Sequence, residues 1–579
     1  HRGRDAVLSA DGVAKCVQCL AGASVRIAAG EATATVAFSE AAECLSILIA
    51  GDVDAQGDAL RASDALGVDG KFPLIVAAAC ATIIASKTSG ATIAAAARAA
   101  HAVVASPRWR RALDEPRLDA LGAALMRRDA QRVASAPFEG PDENSDASEA
   151  DAACGAAFAA VLDASPACRK RARTDGCSIE RRLIALSNAA ELATSGGHAE
   201  SHPVQTVDSK ACRTVAAHSR VVAASLRRGA RDDEDFREMN LAALASTLRR
   251  AWPFVKAAST LEDDTNGPGS DALDALNRCA LALANAGDEG CVAVAASGAS
   301  KRRAAGDHSL ARCLMDSAVR GELAVSPAAA RDRDATALVV SKRCAVACAA
   351  LAKLAQAPCR NAVIQGGFVK DSVVALRRLA AAAHAPASRV SYTVRSSRNS
   401  RAEALLGTLV SATMYPDAQR ALLDEPQTAE LLLDLCHYYG APQQRSYSSP
   451  GGVDYTPTRE PLYPGARART ASLLRNLALL RRNKGRILAQ PPLVQFLLDA
   501  LRAPPAVVSA SATALWALVH HSEKARGLVK ADGLRAVHAA ARATDDAAAF
   551  SRGSGEDAHH LRAAQRALAH LRAILADDR

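Results

Sequence analysis

Apolar and polar positions along this chain follow a helical rhythm, interrupted again and again by polar breaks. Ala41 to Ala50, Phe72 to Ser86 and Ala91 to Ser106 read as helices, with Gly90 as a stop between the last two. Leu113 to Arg128 follows, entered through Asp114, Glu115 and Pro116, a normal helix start. Strand text is sparse: Val residues are scattered and few runs alternate. The stretch Pro137 to Asp151 is acidic, small and nearly devoid of large apolar groups, which predicts a linker. Further polar breaks fall at 165–178, 195–210, 227–238, 262–271 and 297–307, and the longest is the Pro- and Tyr-rich stretch Gly440 to Arg469.

The C-terminal third repeats itself. Leu474, Leu477, Ile487, Leu488, Leu493 and Phe496 stand 41 residues before Leu515, Leu518, Leu528, Val529, Leu534 and Val537. Leu351, Leu354 and Ile364 fall on the same grid 123 residues upstream, which reads as three such periods. The tetrapeptide Leu-Asp-Glu-Pro occurs at Leu113 and again at Leu423. Each unit has one plan: a helix ending in Leu-x-x-Leu, a polar turn, a short helix, a Gly or Pro break and another amphipathic helix. One unit cannot bury its own apolar face and must stack on neighbours. The expected fold is all-α, an armadillo/HEAT-like helical repeat solenoid with several disordered loops. The expected organisation is helical repeats over 1–136, a polar linker over 137–178, central repeats over 179–439, a long loop over 440–469 and armadillo-like repeats over 470–579.

Composition sharpens this picture. Of 579 residues 49% are of apolar type but only 3% aromatic, so the core is large and made of small side chains, which suits helices packed closely on helices. The net charge of +10 is carried mostly by Arg and is weak evidence for a polyanion; nucleic acid is not the expected partner. The 15 Cys are spread singly through apolar helical text, as reduced buried cysteines are, so the chain reads as intracellular and cytoplasmic. Leu74 to Ala85 is the best membrane candidate and is too short to span a bilayer. The chain opens on His1 rather than Met, which reads as a piece of a longer protein.

The residues resemble armadillo repeats. Ser472 to Leu501 (SLLRNLALLRRNKGRILAQPPLVQFLLDAL) is similar to an armadillo third helix passing through its turn into the next unit. That resemblance places Asn476 where many armadillo proteins carry a groove-lining Asn; the next unit has Ala517 there, and Trp516 sits off the groove Trp position of nuclear-import receptors. Asn476-Leu477-Ala478 with Asn483-Lys484, and Ala514 to Leu518 with Lys524-Ala525, also resemble the C-terminal end of rotatin-like scaffolds. This second resemblance covers roughly 70 residues, by the span of those motifs, and implies a place at the centriole or ciliary basal body. Importin- or catenin-like peptide reception is the alternative.

No enzyme motif stands out. Cys16 and Cys19 have C-x-x-C spacing without a second ligand pair, so two cysteines on one helix is the plainer reading, and no metal or cofactor is expected. The adjacent pairs His520-His521 and His559-His560 point about 100° apart on a helix and do not share a metal easily. Arg169 to Arg173 is a basic cluster in a polar stretch, either a solvated loop or a nuclear signal. The expected function is a non-enzymatic, protein-binding scaffold. Its sharpest candidate surface lies between Pro461 and Leu498, where seven basic residues meet no acidic one: Arg467, Arg469, Arg475, Arg481, Arg482, Lys484 and Arg486. Arg475 and Arg482, seven apart, would share a helix face, with Asn476, Lys484 and Trp516 beside them. Either an acidic segment of a partner protein binds there or neighbouring Asp and Glu balance the charge. Trp516 is either core or a half-exposed anchor.

Overall fold

The computed structural model describes residues 12–50, 72–86, 88–135, 145–174, 209–226, 241–261, 267–296, 309–319, 333–383, 392–440, 464–550 and 556–576. Among the described residues every regular element is a helix, and the chain divides into two compact units, His1–Leu310 and Ala311–Arg579. That boundary falls inside 179–439, the stretch expected to hold central helical repeats with polar loops.

The first unit holds α1 Gly12–Ala28, α2 Ala34–Ala50, α3 Phe72–Ile84, α4 Gly90–Ala105, α5 Pro107–Arg111, α6 Glu115–Ser135, α7 Ser145–Ala164, α8 Pro166–Thr174, α9 Ser209–Ser225, α10 Leu241–Leu261, α11 Pro268–Ala284 and α12 Asp288–Ala295. Helices α2, α4, α7, α9 and α11 pack each on the next in one row, and α1, α3 and α6 form a second row beside the first three. Small side chains make the first row tight. In α4 the run Ala94 to Ala97 is wholly buried, and a Cβ at Gly155 of α7 would come within 2.7 Å of Ala217 Cβ on α9. Arg98 of α4 bridges Glu43 of α2 and Glu149 of α7, both at 2.7 Å, tying three successive helices together.

The stretch 137–178 is not a linker throughout. Residues 145–174 form α7 and α8, because Ala150, Ala157, Phe158, Val161 and Leu162 make an apolar stripe that the small, acidic text around them disguises. The basic cluster Arg169 to Arg173 lies on α8, not in a loop. Ala172 is buried, Arg171 pairs with Asp119 at 3.0 Å and Arg169 donates to the carbonyls of Leu162 and Asp163.

The second unit holds α13 Leu310–Val319, whose first residue lies across the boundary, then α14 Arg333–Gln356, α15 Arg360–Gln365, α16 Phe368–Ala383, α17 Tyr392–Ala412, α18 Pro416–Asp424, α19 Thr428–Gly440, α20 Pro464–Leu479, α21 Arg481–Leu488, α22 Pro491–Asp499, a 3₁₀ turn Ala500–Arg502, α23 Pro505–Val519, α24 Glu523–Phe550 and α25 Glu556–Ala576. The long helices α14, α17, α20, α23 and α25 pack in succession, and α16, α19, α22 and α24 form the second row. A short helix follows the long one in three layers; in the next, the short and middle helices fuse into α24, since Gly533 does not break it. This is the armadillo-like plan of three helices per layer. Residues 464–469, expected within the long loop, are the first turns of α20, with Pro464 in the first turn where it is tolerated. The remainder of that loop, 441–463, lies outside the described residues.

Bonds join the layers along one edge. Thr408 donates to Cys348 O (2.9 Å), the Tyr415 hydroxyl to Gln356 O (3.1 Å), Asn476 Nδ2 to Val410 O (2.8 Å) and Asn483 Nδ2 to Gln419 Oε1 (3.0 Å). All lie in the C-terminal halves of the long helices or in the turns and short helices just after them, so successive long helices run the same way. Leu474, Leu477, Leu515 and Leu518 are buried between α20 and α23, as the 41-residue spacing predicts. The upstream extension of that spacing is corrected. Leu351 is on α14 and Leu474 on α20, with only α17 between them, so their 123 residues are two layers rather than three.

Candidate protein-binding surface in the C-terminal layers

Leu480 splits the basic stretch. Its backbone is extended (φ −88°, ψ 122°) and it caps α21, so Arg475 and Arg482 lie on different helices and do not share a face. A seven-residue spacing implies a common face only while one helix continues.

Asn476 is completely buried. Its amide donates to Val410 O at 2.8 Å and to Thr413 Oγ1 at 3.2 Å, while its Oδ1 accepts from Arg475 Nε and Nη2 at 3.0 and 2.8 Å. Val410 is in the last turn of α17, where carbonyls have no partner within the helix. Asn476 therefore stitches two layers together instead of lining an open groove. Lys484 is also buried, its ammonium donating to His520 O at the end of α23; burial, with help from Arg481, pulls its pKa down. Arg467 is held inside too, 5.7 Å over the Phe496 ring, and burial lowers its pKa.

What remains open is a smaller set. Arg469, Arg481, Arg482 and Arg486 are exposed, and Arg475 is half-buried with its Nη2 3.8 Å from Met414 Sδ. Arg486 donates to Leu423 O at 3.1 Å, across to the preceding layer. Among the described residues none of these five has a carboxylate in salt-bridge range. In earlier layers arginines such as Arg377, paired with Glu430 at 2.8 Å, are matched by acids of the adjoining layer.

Trp516 is half-buried with its ring 5.1 Å from that of His520, an intermediate position between core and groove anchor. In the 41-residue register it matches Arg475, and His520 matches Leu479. Sequence reasoning missed Met414 and Leu479, which are 53% and 50% exposed at the ends of α17 and α20. The signal for Leu479 was present: its register mate is the polar His520. Arg360, stacked 4.4 Å over the Tyr415 ring, extends the same edge one layer back.

The other candidates take structural places. Cys16 and Cys19 sit on α1, with Cys16 half-buried and its thiol pushed up to about 12 by burial and by Cys44. Among the described residues no cluster of His, Cys, Asp and Glu is arranged to hold a metal ion, and no helix is long and apolar enough to cross a membrane. His521 takes a left-handed backbone (φ 57°) that turns the chain sharply after α23, its ring edge-on to His520.

No protein-family model and no curated protein matches the chain. Among solved structures it is similar to a chain from a study entitled "A conserved phosphorylation switch controls the interaction between cadherin and beta-catenin in vitro and in vivo", at 12% identity over 92% of this chain and 94% of that one, with a TM-score of 0.29. It is also similar to UNC-45 from Drosophila melanogaster, at 12% identity over 98% and 76% of the two chains, with a TM-score of 0.33.

Proposed function

We propose that this chain is a non-enzymatic scaffold whose C-terminal layers receive an acidic segment of a partner protein. The observation that carries the reading is the contrast in charge pairing: arginines of earlier layers meet acids of the same chain, whereas Arg469, Arg475, Arg481, Arg482 and Arg486 meet none among the described residues. A stack of helices presents such a surface already ordered, so little entropy is lost on binding. The resemblance to rotatin-like repeats supports a place at the centriole or ciliary basal body. The importin- or catenin-like alternative relies on a ladder of exposed Asn side chains, and Asn476, its best member here, has all its polar atoms engaged in the fold.

The test uses the three exposed arginines of α21. Arg481→Glu, Arg482→Glu and Arg486→Glu together should abolish capture of partners from a lysate of ciliated cells, and capture by the parent should weaken as salt rises, because exposed charges are screened over about 8 Å at physiological ionic strength. Unchanged helical content is the control. Retention of the same partners by the triple variant refutes the basic surface as the binding site, and a tagged chain that never concentrates at basal bodies refutes the cellular assignment.

A further inference from the structure

Five large aliphatic side chains of the second unit are conspicuously exposed among its described residues: Leu338, Met414, Leu479, Leu528 and Leu534. Two of them occupy one structural position. Met414 and Leu479 each stand just before the residue that caps the short helix, Tyr415 in one layer and Leu480 in the next. One layer further on, the register places His520 in this position, with Trp516 half-buried one turn before it. Arg475, one turn before Leu479, leans towards Met414 and lies between the two aliphatic side chains. Its Nε and Nη2 are taken by Asn476, and no carboxylate of the described residues approaches it. From the layer of Met414 to that of Leu479 the edge is therefore apolar, cationic and apolar again, with Trp516 in the layer after.

We propose that the segment bound here carries large apolar residues on both sides of its carboxylate, seated on Met414 and on Leu479 with Trp516, while the carboxylate meets Arg475. This rests on the reading of the C-terminal layers as the binding surface and adds what the partner must look like. Packed helices lie about 8–10 Å apart. An extended chain advances about 3.3 Å per residue. A strand of peptide crossing the layers therefore offers a side chain to each layer at intervals of about three residues. Aliphatic sulfur and methyl groups at Met414 and Leu479 suit aliphatic or aromatic side chains, and Trp516 alone gives no row of flat faces for successive bases, which favours protein over single-stranded nucleic acid. A second copy of this chain is an outcome of the test rather than the proposal.

The experiment selects random linear peptides, displayed on phage, against the immobilised full chain. The winners are then titrated as labelled synthetic peptides against the parent and three variants: Arg475→Glu, the pair Met414→Ser with Leu479→Ser, and the triple charge reversal on α21. The expected winners hold Asp or Glu between two residues of the Leu, Ile, Met or Phe kind that stand about three positions apart. The serine pair should weaken them about tenfold or more, and Arg475→Glu should abolish binding. Both serine positions are half-exposed, so the fold should survive; if circular dichroism shows lost helix, Leu479→Gln alone replaces the pair. Acidic winners without an apolar preference, insensitive to the serine pair but lost on the α21 reversal, overturn this inference and leave the proposed function standing. Apolar winners that Arg475→Glu binds as well as the parent overturn it too. Winners indifferent to every variant, no winners at all, or a chain that only captures itself overturn both.

Discussion

Asn476→Ala separates the two roles this residue can have. The side chain is fully buried, and its amide supplies the hydrogen bond to Val410 O at the end of the preceding long helix. Alanine takes that donor from a part-buried carbonyl to which only the Thr413 hydroxyl, at 3.3 Å, can still donate, a loss of about 1 kcal/mol. It also removes the acceptor of two bonds from Arg475. That part is discounted, since Arg475 is half-exposed and can turn to solvent, so the whole loss is roughly 1–3 kcal/mol. Thr413 keeps a partner of its own, because its hydroxyl donates to Leu409 O at 2.7 Å. Asn476→Asp should fall between parent and alanine: it keeps Arg475 but turns an acceptor towards Val410 O. Urea unfolding followed by circular dichroism gives the size, and hydrogen exchange should show the loss first in α17, α20 and their neighbours, because stacked layers depend on adjacent ones. A change under about 0.5 kcal/mol, the scatter of surface substitutions, would refute the stitching role. So would weakened peptide binding with stability intact, the signature of a groove residue.

Leu515→Ala and Leu518→Ala, both wholly buried between α23 and its neighbours, should each cost about 2–5 kcal/mol in urea melts. Gly527→Ala on α24 meets open space and should raise stability by up to about 1 kcal/mol, whereas Gly290→Ala on α12 would drive a methyl into the Leu283 carbonyl and should lower it; thermal melts of both variants decide. Timed alkylation with iodoacetamide and peptide mapping should label exposed Cys19 well before Cys80 and Cys16, whose thiols burial pushes up to about 12, and equal rates would contradict those placements.

The helices and their stacking were legible because the apolar rhythm is strong wherever a long helix is buried, as in Phe72 to Ser86 and Ser472 to Leu501. Residues 145–174 were not, because an Ala-rich stripe registers as small rather than apolar. The repeat was legible only between α20 and α23, where a short turn joins successive units; upstream layers are separated by longer stretches, so their spacing drifts and 123 residues passed for three periods. The candidate surface was legible as charge but not as geometry. One extended residue, Leu480, divides the basic stretch between two helices, and no period reveals which of Arg475, Lys484 and Arg467 turn inwards. That depends on acceptors such as His520 O, supplied by a residue 36 positions away.

The edge along which the layers are bonded governs how this unit can change length. From α14 onward the chain crosses from a long helix to the next helix in one to three residues, at 357–359, 413–415, 480 and 520–522. The long helices α14, α17, α20 and α25 each begin at the opposite end of the stack. Alignment of each layer on the last is thus set at one side, while chain is added or removed at the other. A fluorescent protein or a second binding module placed between Gly440 and Pro464 would hang from the far side of the stack and leave every bond from Thr408 to Asn483 in place. The repeats work as a rack with fixed rails and interchangeable cargo, and splicing there alters what the stack carries without altering how it stands.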